Sequence, residues 1–246
     1  VLDISTRTIR EFAAEYSLMI PPAVLPFYLS DIVYGNIVYL LLVLLVCDVP
    51  LRHRSQKQIL QRCGMTGLAS GQMLSLVFVS ILFYVEQMIF SMVLCLPRLS
   101  FGDWGKLWGS VASGTALEAG YNVSFGVSQE VLRNYSLWQA VGYSAVTFVL
   151  TGICYGLVVF LFNGLSRGRL GTALVSGWCV IWIFLRSNSN DWVRGLMQYS
   201  PQNWNDLSLH TASDMGGLML FVVGLIAVLA AVIVVLVRTR RLPLVD

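Results

Sequence analysis

MGGLMLFVVGLIAVLAAVIVVLV, residues 215–237, is an unbroken apolar run that contains no charged residue and is followed at once by Arg238. About 20 residues of helix are needed to cross a hydrocarbon core of about 30 Å, because no water is present there to satisfy exposed backbone groups. This run therefore predicts a membrane-spanning helix. Four other apolar runs predict further spans, over residues 32–47, 72–96, 137–162 and 171–185. The last of these is the shortest, at about 22 Å of helix.

The composition of the chain agrees with these runs. Of its 246 residues, 57% are apolar and only 12% are charged, and the mean hydropathy is +0.73. About a quarter of the residues in an ordinary soluble domain are charged. We therefore expect one all-α integral membrane domain over residues 1–246, a polytopic helical bundle of about five spans. The net charge of +3 gives no support for nucleic-acid binding.

The basic residues predict the orientation of the bundle. Short cytoplasmic loops carry an excess of Lys and Arg, and five spans make successive loops alternate between the two sides. One side receives nine of the 16 basic residues, namely Arg52, Arg54, Lys57, Arg62, Arg167, Arg169, Arg238, Arg240 and Arg241. We place this side, with the C-terminus, in the cytoplasm and the loops 97–136 and 186–214 outside. Because an outside N-terminus is difficult to insert without a signal peptide, we expect a sixth span upstream.

The longest predicted cytoplasmic loop is DVPLRHRSQKQILQRCGMTGLASG, residues 48–71. Ile59, Leu60 and Cys63 recur at helical spacing within it, which predicts a short amphipathic helix. The apolar side of such a helix must be buried against something. Anionic lipid headgroups and a partner protein both fit this pattern.

Glu86 lies near the middle of the second predicted span. An ionised side chain there costs at least a few kcal/mol unless it faces a partner or a wet cavity. With Gln87 beside it and Asn36 in the first span, Glu86 is a candidate for a substrate pathway. A Glu that only fastens the bundle by hydrogen bonding fits equally well. Asp31 is interpreted as marking the outer boundary of the first span.

The outside loops are not simple polar linkers. Phe101, Trp104, Trp108 and Val111 recur at helical spacing, which predicts a helix at the membrane surface. Trp192 and Trp204 could anchor the other outside loop at the interface in the same way. The alternative is that all these aromatic residues form an ordinary belt at headgroup depth.

The sequence also predicts two helix N-caps and one close contact between helices. Ser128 and Ser136 precede helical runs and are interpreted as N-caps. Gly152 and Gly156 form a GxxxG spacing in the third span that allows close helix approach.

The sequence offers no catalytic, cofactor-binding or metal-binding signature. His53 and His210 lie too far apart to form a metal pair, and the chain has neither H-E-x-x-H nor G-x-x-x-x-G-K-[ST]. The five cysteines form no C-x-x-C pair and are interpreted as small hydrophobes. We therefore expect no enzyme activity in this chain, and any ATP and Mg²⁺ must be bound by another subunit.

The order of the spans, the string LLVLLVCDVPLRHRSQKQILQRCG at 41–64, and the segment Tyr199-Ser200-Pro201-Gln202-Asn203-Trp204 together resemble the permease subunit of type-2 ABC exporters. The resemblance is to small permeases associated with peptide-antibiotic (lantibiotic or bacteriocin) resistance in Gram-positive bacteria. It covers nearly the whole chain, which departs from the family in its missing first helix and its long loop after residue 97.

This resemblance implies a cytoplasmic coupling helix that docks on an ATP-binding subunit and an outside segment, residues 187–214, that is re-entrant. The implied coupling residues are Arg52, Arg54, Lys57, Ile59, Leu60 and Arg62. It also implies a second permease copy or homologue, a bacterial cytoplasmic membrane, and an amphipathic peptide or lipid-like substrate. Two rival functions are a non-transporting scaffold or sensor and an intramembrane enzyme. The enzyme would need several polar groups at one depth, where only Glu86 is predicted.

Overall fold

The computed structural model describes residues 2–50, 56–96, 98–166, 168–187, 200–210 and 212–239. The described part of the chain is helical, apart from its connections. Its elements are α1 (Leu2–Glu15), α2 (Val24–Ser30), α3 (Ile32–Leu45), α4 (Gln56–Leu94), α5 (Gly105–Ser113), α6 (Thr115–Glu118), α7 (Gln129–Asn134), α8 (Leu137–Ser166), α9 (Leu170–Ser187), a 3-10 helix (Pro201–Asn205) and α10 (Ala212–Arg238).

Three helices in the described part are long and apolar enough to cross a membrane: Gln58–Leu94 in α4, the whole of α8, and Asp214–Arg238 in α10. α2 and α3 together are also long and apolar enough, although they are bent by 94° at Asp31. The pair is a fourth span if it crosses the membrane once. The run predicted as the fourth span forms α9, whose apolar part, Leu170–Arg186, is shorter than a full crossing.

α8 lies at the centre of the bundle and packs against α3, α4, α9 and α10. Two glycines of α8 permit close contacts with α3 and α4. A Cβ atom on Gly152 would lie 2.8 Å from a methyl group of Leu42 and 2.9 Å from the hydroxyl of Ser80, and one on Gly156 would lie 3.0 Å from Leu76. Only a residue without a side chain permits this approach, so the predicted role of the GxxxG spacing is confirmed.

The bend between α2 and α3 has a local cause. Asp31 adopts extended backbone dihedrals, and its side chain accepts hydrogen bonds from the amides of Val33 and Tyr34, which caps α3. Just after the bend, a Cβ on Gly35 would lie 2.4 Å from the carbonyl oxygen of Leu29. The two helices can turn this sharply only because residue 35 is glycine.

α4 is broken once, at Gly64. This residue has φ +70° and ψ 173°, a backbone conformation that is essentially restricted to glycine. The break separates a short helix, residues 56–63, from the long apolar helix that follows. We call residues 56–63 the inner helix. It coincides with the amphipathic helix predicted in the loop 48–71.

Residues 2–23 and 98–135 form a folded cap at the end of the bundle where α4 ends and α8 begins. Its two parts are joined by backbone pairing, since the Ile20 amide donates to Arg98 (2.8 Å) and the Ser100 amide donates to Ile20 (3.1 Å). The Glu15 carboxylate accepts a hydrogen bond from the Tyr121 hydroxyl, which raises the pKa of Tyr121 to about 12. This hydrogen bond is one of the contacts that join α1 to the rest of the cap.

The tryptophans of the cap correct a prediction. α5 forms where a surface helix was expected, but Trp108 is fully buried and its ring packs 5.1 Å from that of Phe27. The indole of Trp104 donates a hydrogen bond to the Tyr135 carbonyl at 2.7 Å. Trp108 and the equally buried Trp204 therefore pack inside the protein, and the headgroup-belt interpretation is wrong for both. Trp192 lies outside the described residues.

Predicted helix caps agree with the structure. The Ser128 hydroxyl accepts from the Glu130 amide at the start of α7. Ser136 and Gln139 exchange side-chain to backbone hydrogen bonds at the start of α8. Both arrangements satisfy amides that have no partner within the helix.

Candidate functional site

The most polar interior region is formed by residues 200–206, which we call the polar segment. It includes the 3-10 helix and lies against α8, α9 and α3. Five of its polar side chains are buried: Ser200, Gln202, Asn203, Asn205 and Asp206. Buried polar groups of this number are stable only when hydrogen bonded.

Asn205 attaches the polar segment to two helices of the bundle. Its carbonyl oxygen accepts a hydrogen bond from the Thr147 hydroxyl in α8 at 2.6 Å, and its amide donates to the Tyr39 hydroxyl in α3. One turn further along α8, Thr151 donates to the carbonyl of Pro201 at 3.4 Å. The segment is therefore fastened to the centre of the bundle.

Gln202 attaches the same segment to α9. Its side-chain oxygen accepts from the Trp178 indole (3.1 Å) and from the Ser200 hydroxyl (2.7 Å). Its amide lies 3.6 Å from the sulfur of Cys179, to which it donates. Cys179 is fully buried in the apolar core, as a small hydrophobe would be, and its sulfur also accepts this hydrogen bond.

The charged end of the polar segment is the ion pair between Arg186 of α9 and Asp206. The side chains of this pair are only 17% and 4% exposed. Arg186 also donates to the Asn203 side chain at 2.9 Å, and the other carboxylate oxygen of Asp206 accepts from the amide and hydroxyl of Ser208. A buried pair is costly unless further hydrogen bonds support it, and here each partner has at least one.

The opposite end of the bundle is organised by Asn163. Its amide donates to the carbonyls of Cys47 and Val49, both at 3.0 Å, and its oxygen accepts from the Gly171 amide at 2.8 Å. One side chain therefore joins the end of α3 to the start of α9. The nearby ion pair between Arg169 and Asp48 is exposed and adds little stability.

The predicted coupling residues lie beside this end. Ile59 is 47% exposed and Arg62 is exposed, whereas Leu60 packs against a core cluster to which α3, α4, α8 and α10 contribute. Arg52 and Arg54 lie outside the described residues. Lys57 lies in α4, and its side chain is also outside the described part.

The predicted pathway residues do not meet. Asn36 is buried and donates to the Ile32 carbonyl of its own helix at 2.6 Å. Glu86 is exposed on the surface of α4, with Gln87 half-buried beside it. Among the described residues, no hydrogen bond joins Asn36 to Glu86 or Gln87. Their role in a pathway stays a prediction.

The sequence argument missed the partners of the polar segment. A signal was present in Thr147 and Thr151, which are four residues apart on one side of a mostly apolar helix. A second signal was the run of amides and an acid at 202–206 between two apolar runs. Nothing in the sequence indicated that Arg186 or Tyr39 would reach it.

Comparison with family models, curated proteins and solved structures finds no match to the chain. Within the described residues, no group of three or more His, Cys, Asp and Glu side chains is placed to hold a metal ion.

Proposed function

We propose that this chain is the membrane-spanning permease subunit of an ATP-driven ABC exporter. The observation that supports this function best is the break of α4 at Gly64. It sets a short helix with exposed Ile59 and Arg62 next to a long apolar helix. An exposed aliphatic side chain beside a cation is suited to a protein partner, because the aliphatic group gains from burial and the cation from an acidic partner.

The proposed topology places the bundle in the bacterial cytoplasmic membrane, with the cap outside and the C-terminus in the cytoplasm. The bent pair α2–α3 crosses once, and α9 completes a short crossing because the polar segment enters the bundle beside it. Irregular backbone is tolerated at membrane depth where protein buries it. The basic residues near the inner helix and after α10 support this orientation.

The contacts provide a route from the inner helix to the polar segment. Leu60 packs on the core cluster at that end, and α4 crosses α8 at Gly152 and Gly156. α8 in turn holds the polar segment through Thr147. Closure of two ATP-binding subunits on the inner helix would shift α4 against α8 and release or re-form these hydrogen bonds, moving an amphipathic peptide or lipid-like substrate outward.

Other subunits supply what this chain does not. ATP and Mg²⁺ are bound by the ATP-binding subunits, and this chain has no catalytic role. A second copy or a homologue completes the pathway. Exposed apolar side chains on α4 and α10 suit lipid or that second copy, and examples are Phe78, Val85, Leu220 and Val228.

Purification of the tagged full-length chain in a mild detergent tests the proposal. We expect an ATP-binding subunit to co-purify in stoichiometric amount. Ile59→Asp combined with Arg62→Glu should reduce its recovery at least about tenfold, as loss of a central interface contact does. Lys106→Glu, a charge reversal at an exposed position of the cap, should have no effect.

A scaffold or sensor is the second candidate, supported by the folded cap, which offers an extensive surface for ligands. It predicts that the chain purifies alone or self-associated. Recovery of the ATP-binding subunit that is unchanged by Ile59→Asp with Arg62→Glu would contradict the coupling role of the inner helix.

A further inference from the structure

A cavity of about 320 Å³ lies where the cap meets the bundle. Five parts of the chain surround it: the end of α2, the start of α3, residues 126–128, the end of α9, and residues 206–208. We call it the cap-end cavity. Its volume lies at the lower end of the range of about 300–1,000 Å³ that is usual for small-molecule sites.

The charges around this cavity sum to a negative value. Arg186 and Asp206 line it and neutralise each other through their ion pair. Asp31 also lines it and has no cationic partner among the described residues. Two helices end beside the cavity, α2 and α9, and two begin there, α3 and α7, so their partial charges largely cancel and the net negative charge comes from Asp31.

Asp31 retains capacity for a ligand. One of its carboxylate oxygens, Oδ1, accepts the amides of Val33 and Tyr34 at 2.9 and 3.0 Å. The other oxygen accepts no hydrogen bond within the described part of the chain. Arg186 differs, because both of its terminal nitrogens donate to the protein, to Asn203 and Asp206, and the ion pair with Asp206 offsets its charge. The cavity therefore offers an open acceptor for a cation, whereas an anion at Arg186 would compete with Asp206.

The remaining wall is apolar. Phe27, Ile32, Val127 and Val131 line the cavity beside the charged groups. A ligand that fits both surfaces has one cationic group and a short hydrocarbon body. Burial of a few methylene groups against these side chains would strengthen binding further.

We propose that the cap-end cavity binds a compact organic cation, a primary ammonium on a short apolar body, with its nitrogen on Asp31. Binding of this kind does not depend on transport or on an ATP-binding subunit. The cavity lies at the cap end of the bundle, which the orientation under the proposed function places outside the cell.

Titration of the purified full-length chain in an uncharged maltoside detergent tests the site. The probes are n-butylammonium, its neutral analogue 1-butanol, and the anion butyrate, followed by ligand-observed NMR. We expect saturable binding of butylammonium at least about tenfold tighter than that of 1-butanol, since a charged hydrogen bond is worth about 1.5–3 kcal/mol.

Asp31→Asn is the decisive variant, because Asn caps a helix as well as Asp does while removing the charge. It should abolish the preference for butylammonium with an unchanged unfolding midpoint. Gly126→Leu should weaken binding by filling the cavity, since a Cβ on Gly126 meets no atom within 4 Å and the fold can accept it. Glu118→Gln, at an exposed position in α6, is the matched control and should bind as the unaltered chain does.

Three results would overturn the proposal. Equal affinity for butylammonium and 1-butanol would show that charge plays no part. Tighter binding of butyrate would assign the cavity to anions through Arg186. Unchanged butylammonium binding in both Asp31→Asn and Gly126→Leu would place the cation elsewhere.

Discussion

Gly171 shows how much one side chain decides in this bundle. A Cβ at this position would lie 2.6 Å from the carbonyl oxygen of Val159, so α9 can start against α8 only as glycine. We expect Gly171→Ala to destabilise the protein by about 1–3 kcal/mol, as overpacking does. Thermal unfolding in detergent measures this. Gly177→Ala, in the same helix but with no atom within 4 Å of the added Cβ, should leave the midpoint unchanged or raise it.

A substitution of Thr147 tests how much its hydrogen bond to the polar segment stabilises the protein. Thr147→Val keeps the shape of the side chain but removes the donor to Asn205. Because Asn205 is fully buried, we expect a loss of about 1–3 kcal/mol of stability. Thr66→Val, at an exposed position in α4, is the control. Equal unfolding midpoints for the two variants would mean that the hydrogen bond to Asn205 contributes nothing.

Residues whose role is local could be predicted from the sequence. Ser128 and Ser136 cap helices because their partners lie two or three residues away, and Gly152 is informative through its spacing from Gly156. Tyr39 could not be assigned, since its partner Asn205 lies 166 residues away. The pairing of Arg186 with Asp206 likewise depends on how α9 and the polar segment are brought together.

The break between the inner helix and the rest of α4 leads to a prediction about docking of the ATP-binding subunit. Gly64 has a backbone conformation that costs about 1–3 kcal/mol for any other residue. We expect Gly64→Ala to relieve this backbone strain by changing the orientation of the inner helix. We expect lower recovery of the ATP-binding subunit with little change in unfolding. Gly71→Ala, whose Cβ would meet no atom within 4 Å, should keep full recovery. Full recovery with Gly64→Ala would show that the break is not needed for docking.

Apolar length predicted the long elements well and the short ones poorly. α4, α8 and α10 follow from unbroken runs of sufficient length. The 94° bend at Asp31 was not predicted, because hydropathy does not report where an N-cap redirects the chain. Trp108 was misassigned to a surface since its spacing indicates an apolar face without identifying what covers it.

The orientation of the whole molecule can be tested by labelling cysteines, because the inner helix contains a native one and the cap can be given one. Cys63 is exposed in the inner helix, whereas Cys95, near the cap, is buried. A membrane-impermeant maleimide should therefore not label intact cells but should label Cys63 after permeabilisation. Ala119→Cys, at an exposed position in the cap, should add labelling of intact cells. The reverse pattern would invert the proposed orientation.

The cap is the part of the molecule that hydropathy concealed. Its apolar residues are not grouped into long runs, yet Phe12, Ile20, Trp108 and Phe125 are buried together. These contacts join residues from two distant stretches of chain, so they appear only once the helices that separate them are folded.

Cross-linking from position 59 tests the central claim, that an ATP-binding subunit docks on the inner helix, most directly. A photoreactive amino acid in place of Ile59 in the full-length chain, irradiated in the native membrane, should form an adduct with a protein that contains a P-loop. The same substitution at Phe101, exposed in the cap, should not. Adducts with lipid alone at position 59, or the same protein adduct from both positions, would contradict the account.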